Sequence, residues 1–176
     1  MVEMTSFSEM LANRKTWQRS RSGLAREETA LRIMETYLMD NHNYVVEARP
    51  EYLLHIYGDK CGIQPDFSVS SNSSGKIAFF EAKRQGEQGN AHERTCKYFA
   101  PGIQHKCAEI AGFYHPFFYI FMDGLTTSRR LQLQIHGWFD ADGYRDRYLM
   151  WLKRDVPSLI NWFEHTIRGY IDDDTS

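Results

Sequence analysis

The stretch KIAFFEAKRQGEQGNAHERTCKYF, residues 76–99, joins an apolar run to a dense series of polar side chains. Its four residues after the first lysine are apolar, as in a strand buried in a sheet. Glu81, Lys83 and Arg84 follow directly, and a second polar segment occupies residues 89–94. An apolar strand that leads into these charges predicts either a site at the strand end or an ordinary solvated turn.

A hairpin is predicted from residues 61–70 and 76–82, because the SNSSG between them has the composition of a turn. If the chain turns at the middle of SNSSG, Asp66 lies opposite Glu81, with the Cβ atoms about 4.5–5.5 Å apart. Lys83 projects from the same face as Glu81, because side chains alternate along a strand. The hairpin therefore brings two carboxylates and one amine together.

Two facing carboxylates repel each other unless a cation lies between them, and Mg²⁺ is suited because it prefers hard oxygen ligands. With Lys83 to activate a water molecule or hold a phosphate, such a set of groups can hydrolyse phosphodiesters. The simpler interpretation is a partly exposed hairpin with a surface pair of Glu81 and Lys83. Glu28 and Glu35 could also approach a metal, but surface salt bridges explain them better.

The segment 89–94 reads Gly-Asn-Ala-His-Glu-Arg. Asn90 and Glu93 have the spacing of a capping box, so they could simply close the start of a helix. A cap does not explain Arg94, because the helix dipole disfavours a positive charge near a helix N-terminus. Asn is suited to pair with adenine, Arg donates to purine N7, and a carboxylate accepts from an exocyclic amine. A hydrolytic site beside a base-reading helix tip predicts a sequence-specific nuclease.

The whole pattern predicts an α/β fold, in which a central mixed five-stranded sheet is flanked by helices. Strands are predicted at 44–47, 61–70, 76–82, 117–122 and 131–139, and helices at 27–39, from 90 toward 113, and at 157–171. The strand at 131–139 rests on the alternation in LQLQIHGWF. Pro101 is expected to kink or break the middle helix.

Composition narrows the class of protein. A chain of 176 residues with 42% hydrophobic residues suits one domain, 1–176, and a net charge of −2 announces no polyanion partner. Three cysteines without CxxC spacing, no secretory signal and no apolar run long enough for a bilayer predict a cytoplasmic protein with no membrane contact. Residues 1–23 are expected to be flexible, and basic residues 14–26 are either a DNA-backbone arm or a solvated terminus.

Known motifs match this arrangement. Pro-Asp at 65–66 followed by Glu-Ala-Lys at 81–83 resembles the PD-(D/E)xK motif of nucleases. Segment 89–94 resembles the GNAxER recognition segment of the EcoRI/MunI group of type II restriction endonucleases, and the likeness continues to residue 102. It returns more weakly at 47–57 and 144–151. The chain is identified as a member of this group, with its strongest likeness to the MunI branch.

This resemblance implies a restriction-endonuclease fold and a homodimeric, Mg²⁺-dependent enzyme that cuts double-stranded DNA. Its relatives cut a palindrome with an AATT centre and leave 5′-AATT overhangs. The resemblance implies that Asp66 and Glu81 bind Mg²⁺ with help from the main-chain carbonyl of Ala82. It also implies that Lys83 positions the attacking water and contacts the scissile phosphate. A cognate DNA methyltransferase would be the functional partner in the host.

Base contacts in the major groove are implied for one set of residues: Gly89, Asn90, Ala91, Glu93 and Arg94. Arg84 and Gln88 are also predicted to bind DNA. Gln88 departs from the MunI pattern, in which an arginine before the glycine helps to read the outer base pair. Together with the short loop 84–88, it favours a bare AATT site or AATT with relaxed flanks. Three alternatives stay open: a PD-(D/E)xK nuclease for repair or mobile elements, a DNA-binding module that has lost catalysis, and a purely structural α/β protein in which Asn90 and Glu93 are a plain helix cap.

Overall fold

The computed structural model of the chain describes residues 28–86, 90, 92–140, 144–152 and 154–172. The predicted flexible segment 1–23 and the basic residues 14–26 lie outside them. The helices are α1 Glu28–Leu38, α2 Pro101–Ala111, α3 Gly124–Thr127, α4 Arg129–Phe139, α5 Val156–Trp162 and α6 Arg168–Ile171, with 3-10 helices at Glu93–Phe99 and Arg145–Arg147 and a π-helical turn at Phe163–Ile167. The strands are β1 Tyr44–Ala48, β2 Phe67–Ser71, β3 Ile77–Gln85, β4 Phe117–Asp123 and β5 Tyr148–Met150.

The five strands form one mixed sheet in the order β1-β2-β3-β4-β5. The first three strands are antiparallel neighbours, while β4 runs parallel to both β3 and β5. The predicted fold class, a mixed five-stranded sheet flanked by helices, is confirmed. The hairpin register is also as predicted, because Phe67 pairs with Phe80 and Ser70 pairs with Ile77.

Two apolar layers cover the sheet, one on each face. Alternation along β3 sends Phe80 and Ala82 into one layer and Phe79 into the other. The first layer is completed by α1 and the C-terminal helices, and the second by α2 and α4. Because both faces of the central strands are covered, β4 is apolar and buried along nearly its whole length.

The predicted strand at 131–139 is wrong, because these residues form the helix α4. Leu131, Ile135 and Phe139 are buried, which is a spacing of four that suits a helix, while Leu133 is 63% exposed. The fifth strand of the sheet is instead β5, Tyr148–Met150, which is too short to show a periodic pattern.

The helices at both ends of the described chain agree with the sequence, and the middle one differs in detail. The helix predicted from Asn90 starts only at Glu93 and begins as a 3-10 helix. It breaks before Pro101, as predicted, and α2 then ends at Gly112, whose φ of 80° suits glycine. The predicted C-terminal helix is present, but it contains a π-helical turn.

The cysteines are free, as expected for reduced thiols. Cys61 and Cys96 are exposed, whereas burial raises the pKa of the Cys107 thiol to about 11. Within the residues that the structure describes, no helix combines the length and the apolar character needed to span a bilayer.

Candidate active site and base-reading segment

The predicted acidic pair lies at one end of the β2–β3 hairpin. Asp66 directly precedes β2, and its main-chain N–H donates to the Phe80 carbonyl at 3.0 Å. Glu81 lies across from it on β3, and the Lys83 ammonium contacts both carboxylates, with its Nζ 3.9 Å from Asp66 Oδ2 and in an ion pair with Glu81 Oε2. The structure therefore brings together the three residues predicted to be catalytic.

The burial of Glu81 and Lys83 distinguishes them from an ordinary pair of charges at the protein surface. Glu81 is only 3% exposed, and Lys83 is mostly covered. A buried carboxylate is costly unless it is paired and hydrogen-bonded. Both oxygens of Glu81 are satisfied, one by Lys83 and the other by the hydroxyl of Tyr98, which donates to Oε1. The surface-pair interpretation of Glu81 and Lys83 is wrong.

Tyr98 is a site residue that the sequence interpretation missed. It lies near the end of the 3-10 helix Glu93–Phe99, so the helix that begins with Glu93 and Arg94 ends on Glu81. Burial first, and then the charge of Glu81 and the hydrogen bond to it, raise the pKa of Tyr98 well above its ordinary value. The phenol is therefore protonated at neutral pH and acts as a donor to the carboxylate.

Asp66 is held in place by the main chain. The Ala82 N–H donates to Asp66 Oδ2 at 2.7 Å, which fixes this carboxylate against β3 while leaving it partly exposed. Asp66 and Glu81 thus converge on the same cation, the Lys83 ammonium. Since the space between them already holds a positive charge, and since their oxygens are hard ligands, the donor set fits Mg²⁺. Among the described residues, no group of three or more His, Cys, Asp or Glu side chains is placed to hold a metal ion; the two carboxylates would leave the other positions around Mg²⁺ to main-chain carbonyl, water or phosphate oxygens.

Glu28 and Glu35, the other carboxylates considered for a metal, both belong to α1, and Glu35 has a partner of its own there. Glu35 accepts from the Arg32 guanidinium at 2.8 Å on the exposed side of α1. The predicted surface salt bridge is confirmed for Glu35.

The predicted base-reading side chains are exposed at the start of the 3-10 helix. Asn90, Glu93 and Arg94 all lie at the surface. The Glu93 N–H donates to the main-chain carbonyl of Asn90 at 3.0 Å, and the residue at the helix N-cap is His92. The capping box predicted for Asn90 and Glu93 is therefore wrong: the turn is closed by the main chain.

Of the other residues predicted to bind DNA, the structure describes only Arg84. Arg84 lies on the opposite face of β3 from Lys83, and its Nε is 3.3 Å from Asp123 Oδ2. The structure thus pairs Arg84 with the last residue of β4. Gln88, Gly89 and Ala91 lie outside the described residues.

Comparisons with known proteins agree with this architecture. Residues 58–172 match the family model of the type II restriction enzyme MunI. The type II restriction enzyme MunI of Mycoplasma sp is 26% identical, over 92% of this chain and 98% of that protein. The crystal structure of MunI restriction endonuclease in complex with cognate DNA matches with a TM-score of 0.76 at 24% identity, over 94% of this chain and 98% of that one.

The structural match establishes the fold as that of a restriction endonuclease. The family match, which covers more than half of the residues, goes further. The chain belongs to the MunI family of type II restriction enzymes and is a site-specific deoxyribonuclease.

Proposed function

We propose that two copies of this chain form a Mg²⁺-dependent enzyme that cuts a palindrome with an AATT centre and leaves 5′-AATT overhangs. One observation carries the proposal. Glu81, Lys83, Asn90 and Arg94 lie within residues 81–94, Asp66 joins Glu81 and Lys83 from the neighbouring end of the hairpin, and Tyr98 links the 3-10 helix that follows to Glu81. Two-fold pairing of the chain suits a palindromic site, because the symmetry of the protein then mirrors that of the DNA.

In this proposal Asp66 and Glu81 hold the metal, with the main-chain carbonyl of Ala82. Bound Mg²⁺ supplies charge stabilisation at the scissile phosphate and lowers the pKa of a water molecule. Lys83 leaves its contact with the carboxylates and donates to the phosphate and the attacking water. The hydroxyl of Tyr98 keeps Glu81 oriented throughout, because the pKa of this phenol is raised and its proton is retained.

Base reading is assigned to Gly89, Asn90, Ala91, Glu93 and Arg94. The amide of Asn90 pairs with adenine, the guanidinium of Arg94 donates to purine N7, and the Glu93 carboxylate accepts from an exocyclic amine. Support comes from the exposure of the three described side chains at and just before the start of the 3-10 helix. Gln88 and Arg84 complete the proposed DNA contacts, Arg84 toward the backbone.

Further parts of the proposal rest on the sequence alone. A cognate methyltransferase protects the host DNA, since an AATT site is frequent in any genome. The basic residues 14–26 are proposed to contact phosphates, and a cytoplasmic location follows from the cysteine usage.

The deciding experiment is a digest of plasmid DNA with the purified protein and Mg²⁺, followed by sequencing of the fragment ends. We expect every 5′ end to begin with AATT, and the neighbouring bases to report what Gln88 reads. The matched control is Lys83→Ala, which should fold, as checked by circular dichroism, and should not cut. Ends without a shared sequence would contradict the base-reading assignment. Undiminished cleavage by Lys83→Ala would contradict the assignment of the active site.

A further inference from the structure

His92 lies directly beneath the exposed base-reading side chains. It is only 1% exposed, although its neighbours Asn90, Glu93 and Arg94 are at the surface. Its ring stacks on the indole of Trp138 in α4, with the ring centroids 5.1 Å apart and the planes inclined by 11°. A ring in this position anchors the start of the 3-10 helix to α4.

Both nitrogens of the His92 ring have a glutamine partner. Nε2 is 3.2 Å from Gln134 Oε1 in α4, and Nδ1 is 3.5 Å from Gln85 Nε2 at the end of β3. An amide oxygen only accepts and an amide nitrogen only donates, so this pair of contacts fits a neutral ring that carries its proton on Nε2. The imidazole therefore bridges a strand and a helix that are distant in sequence.

Of the two glutamine partners, Gln85 links the His92 ring to the strand that carries the predicted catalytic residues. Gln85 follows Lys83 by two residues on β3, so its side chain projects from the face that carries Lys83 and Glu81. The His92 ring thus contacts the catalytic strand on one side. The main-chain carbonyl of His92 accepts from the Thr95 N–H at 3.1 Å and from the Thr95 hydroxyl Oγ1 at 2.6 Å. These two hydrogen bonds form the first turn of the 3-10 helix.

We propose that His92 is a positioning residue for cleavage. Through Gln85, Gln134 and Trp138 it holds the base-reading turn, which carries Asn90, Glu93 and Arg94, in register with the catalytic strand β3. The inference rests on the proposed function of the segment around Asn90 and Arg94. It adds a residue that touches neither base nor phosphate and that nevertheless determines how strongly cleavage depends on the correct site.

The test uses His92→Phe, which keeps a ring to stack on Trp138 and removes both nitrogen contacts. His92→Gln is the partial rescue, because its amide can both donate and accept. The matched control is His136→Phe in α4, whose Nδ1 is 2.5 Å from the Tyr148 hydroxyl and which lies outside the turn that carries Asn90, Glu93 and Arg94. Single-turnover cleavage is measured with Mg²⁺ on a duplex containing AATT and on one with a single base pair of AATT changed.

For His92→Phe we expect cleavage of the AATT duplex to fall about 100-fold, because small misplacements of reacting groups cost about this much. Cleavage of the altered duplex should fall far less, so the ratio of the two rates contracts. His92→Gln should recover part of the ratio, and His136→Phe should keep it. An unchanged ratio in folded His92→Phe, even with a lower melting temperature, would mean that His92 only supports the fold, which overturns the inference.

A second measurement does not need cleavage. Hydrogen–deuterium exchange of the free protein should become faster in residues 93–99 of His92→Phe and stay unchanged in β4. Equal exchange in the two proteins overturns the inference whether or not AATT is the site. Failure of the wild-type chain to cut the AATT duplex, with faster exchange in the variant, overturns the proposed site alone. If His92→Phe does not fold, Gln134→Met removes one contact of the ring at a partly exposed position and is judged by the same ratio and exchange.

Discussion

Two buried tyrosines, Tyr98 in the 3-10 helix and Tyr119 in β4, differ in what their hydroxyl groups contact. Their ring centroids are 6.0 Å apart, and both rings are almost fully covered. The Tyr98 hydroxyl donates to Glu81, whereas the Tyr119 hydroxyl has no hydrogen-bond partner within the described part of the chain. The same substitution at the two positions therefore separates the contribution of one hydrogen bond from that of ring packing.

Tyr98→Phe should lower the free energy of unfolding by about 1.5–3 kcal/mol, because a hydrogen bond to a buried charged group is lost. It should also reduce cleavage, since Glu81 loses its fixed orientation. Tyr119→Phe is the control and should change stability by less than about 1 kcal/mol, because it removes a polar group that is not satisfied. Urea titration of both variants checks this. Equal losses in the two variants would show that the Tyr98–Glu81 contact contributes little.

At Arg94 the chemistry of the side chain can be tested apart from its charge. Arg94→Lys keeps the positive charge and removes the planar set of donors that matches a base edge. We expect cleavage of the preferred site to fall by a factor of about 10–100, which corresponds to about 1–3 kcal/mol of base discrimination, while stability stays unchanged because Arg94 is exposed. Single-turnover kinetics and a thermal melt check both statements. Cleavage at the wild-type rate would show that Arg94 reads no base.

Among the helices and strands, the sequence-based prediction fails most clearly at α4. Leu131, Ile135 and Phe139 satisfy both a period of two and a spacing of four, so LQLQIHGWF suits a strand and a helix alike. Only the exposure of Leu133 distinguishes the two, and exposure depends on tertiary contacts. The hairpin register, in contrast, follows from local turn chemistry and was predicted correctly from the sequence.

The helical state of α4 can be tested at its glycine. Gly137 lies inside the helix, and a Cβ atom built there meets no atom within 4 Å. Gly137→Ala should raise the free energy of unfolding by about 0.5–1 kcal/mol, because alanine is the better helix former. The control is Gly75→Ala in the hairpin turn, which should be destabilising because Gly75 has a φ of +74°. A destabilising effect of Gly137→Ala would contradict a helix at this position.

The sequence predicted the charged residues of the candidate site, but it did not predict the residues that hold them in place. Asp66, Glu81 and Lys83 could be found because strand alternation and turn position are local properties. His92 and Tyr98 could not, since their partners Gln134 and Glu81 are far away in sequence. A signal was present all the same: His92, Thr95 and Tyr98 recur every three residues and are all buried, which is the period of a 3-10 helix.

Away from the catalytic cluster, at the other end of the sheet, His115 and Arg147 both have lowered pKa values. His115 precedes β4, and burial, followed by the charge of Arg147, lowers its pKa below the ordinary 6.5. Arg147 is itself buried, with its guanidinium 3.5 Å from the centroid of the Tyr170 ring. The folded protein therefore favours the neutral form of His115.

Because the folded pKa of His115 lies below the unfolded value, its contribution to stability is complete above pH 6.5 and is lost as the pH falls toward the folded pKa. We expect the melting temperature to decrease between pH 7 and pH 5 less steeply in His115→Asn than in the wild type. Asparagine does not titrate and tolerates the φ of 55° at this position. Thermal melts across that range give the comparison, and parallel curves would exclude His115 as a source of the slope.

The proposed dimer predicts how mixed molecules behave. If each subunit cuts one strand, a dimer of one wild-type subunit and one Lys83→Ala subunit should nick supercoiled plasmid at the site without linearising it. The two proteins are mixed, refolded together and incubated with the plasmid. The nicked and linear products are then resolved on a gel. The control is the wild type refolded alone, which should linearise the plasmid. Equal linearisation by the mixed dimers would place both cuts in one subunit.

The stretch 81–94, which carries Glu81 and Lys83 at one end and Arg94 at the other, has a consequence for engineering. Enzymes with separate reading and cutting modules can be given a new target by exchanging one module. In the function proposed above, the base-reading residues are tied to the catalytic strand β3, because Tyr98 contacts Glu81 and His92 contacts Gln85. We therefore expect that a new target requires changes to the proposed base-reading residues and their supports together, and that no cutting module for fusion to a foreign DNA-binding domain can be excised from this chain.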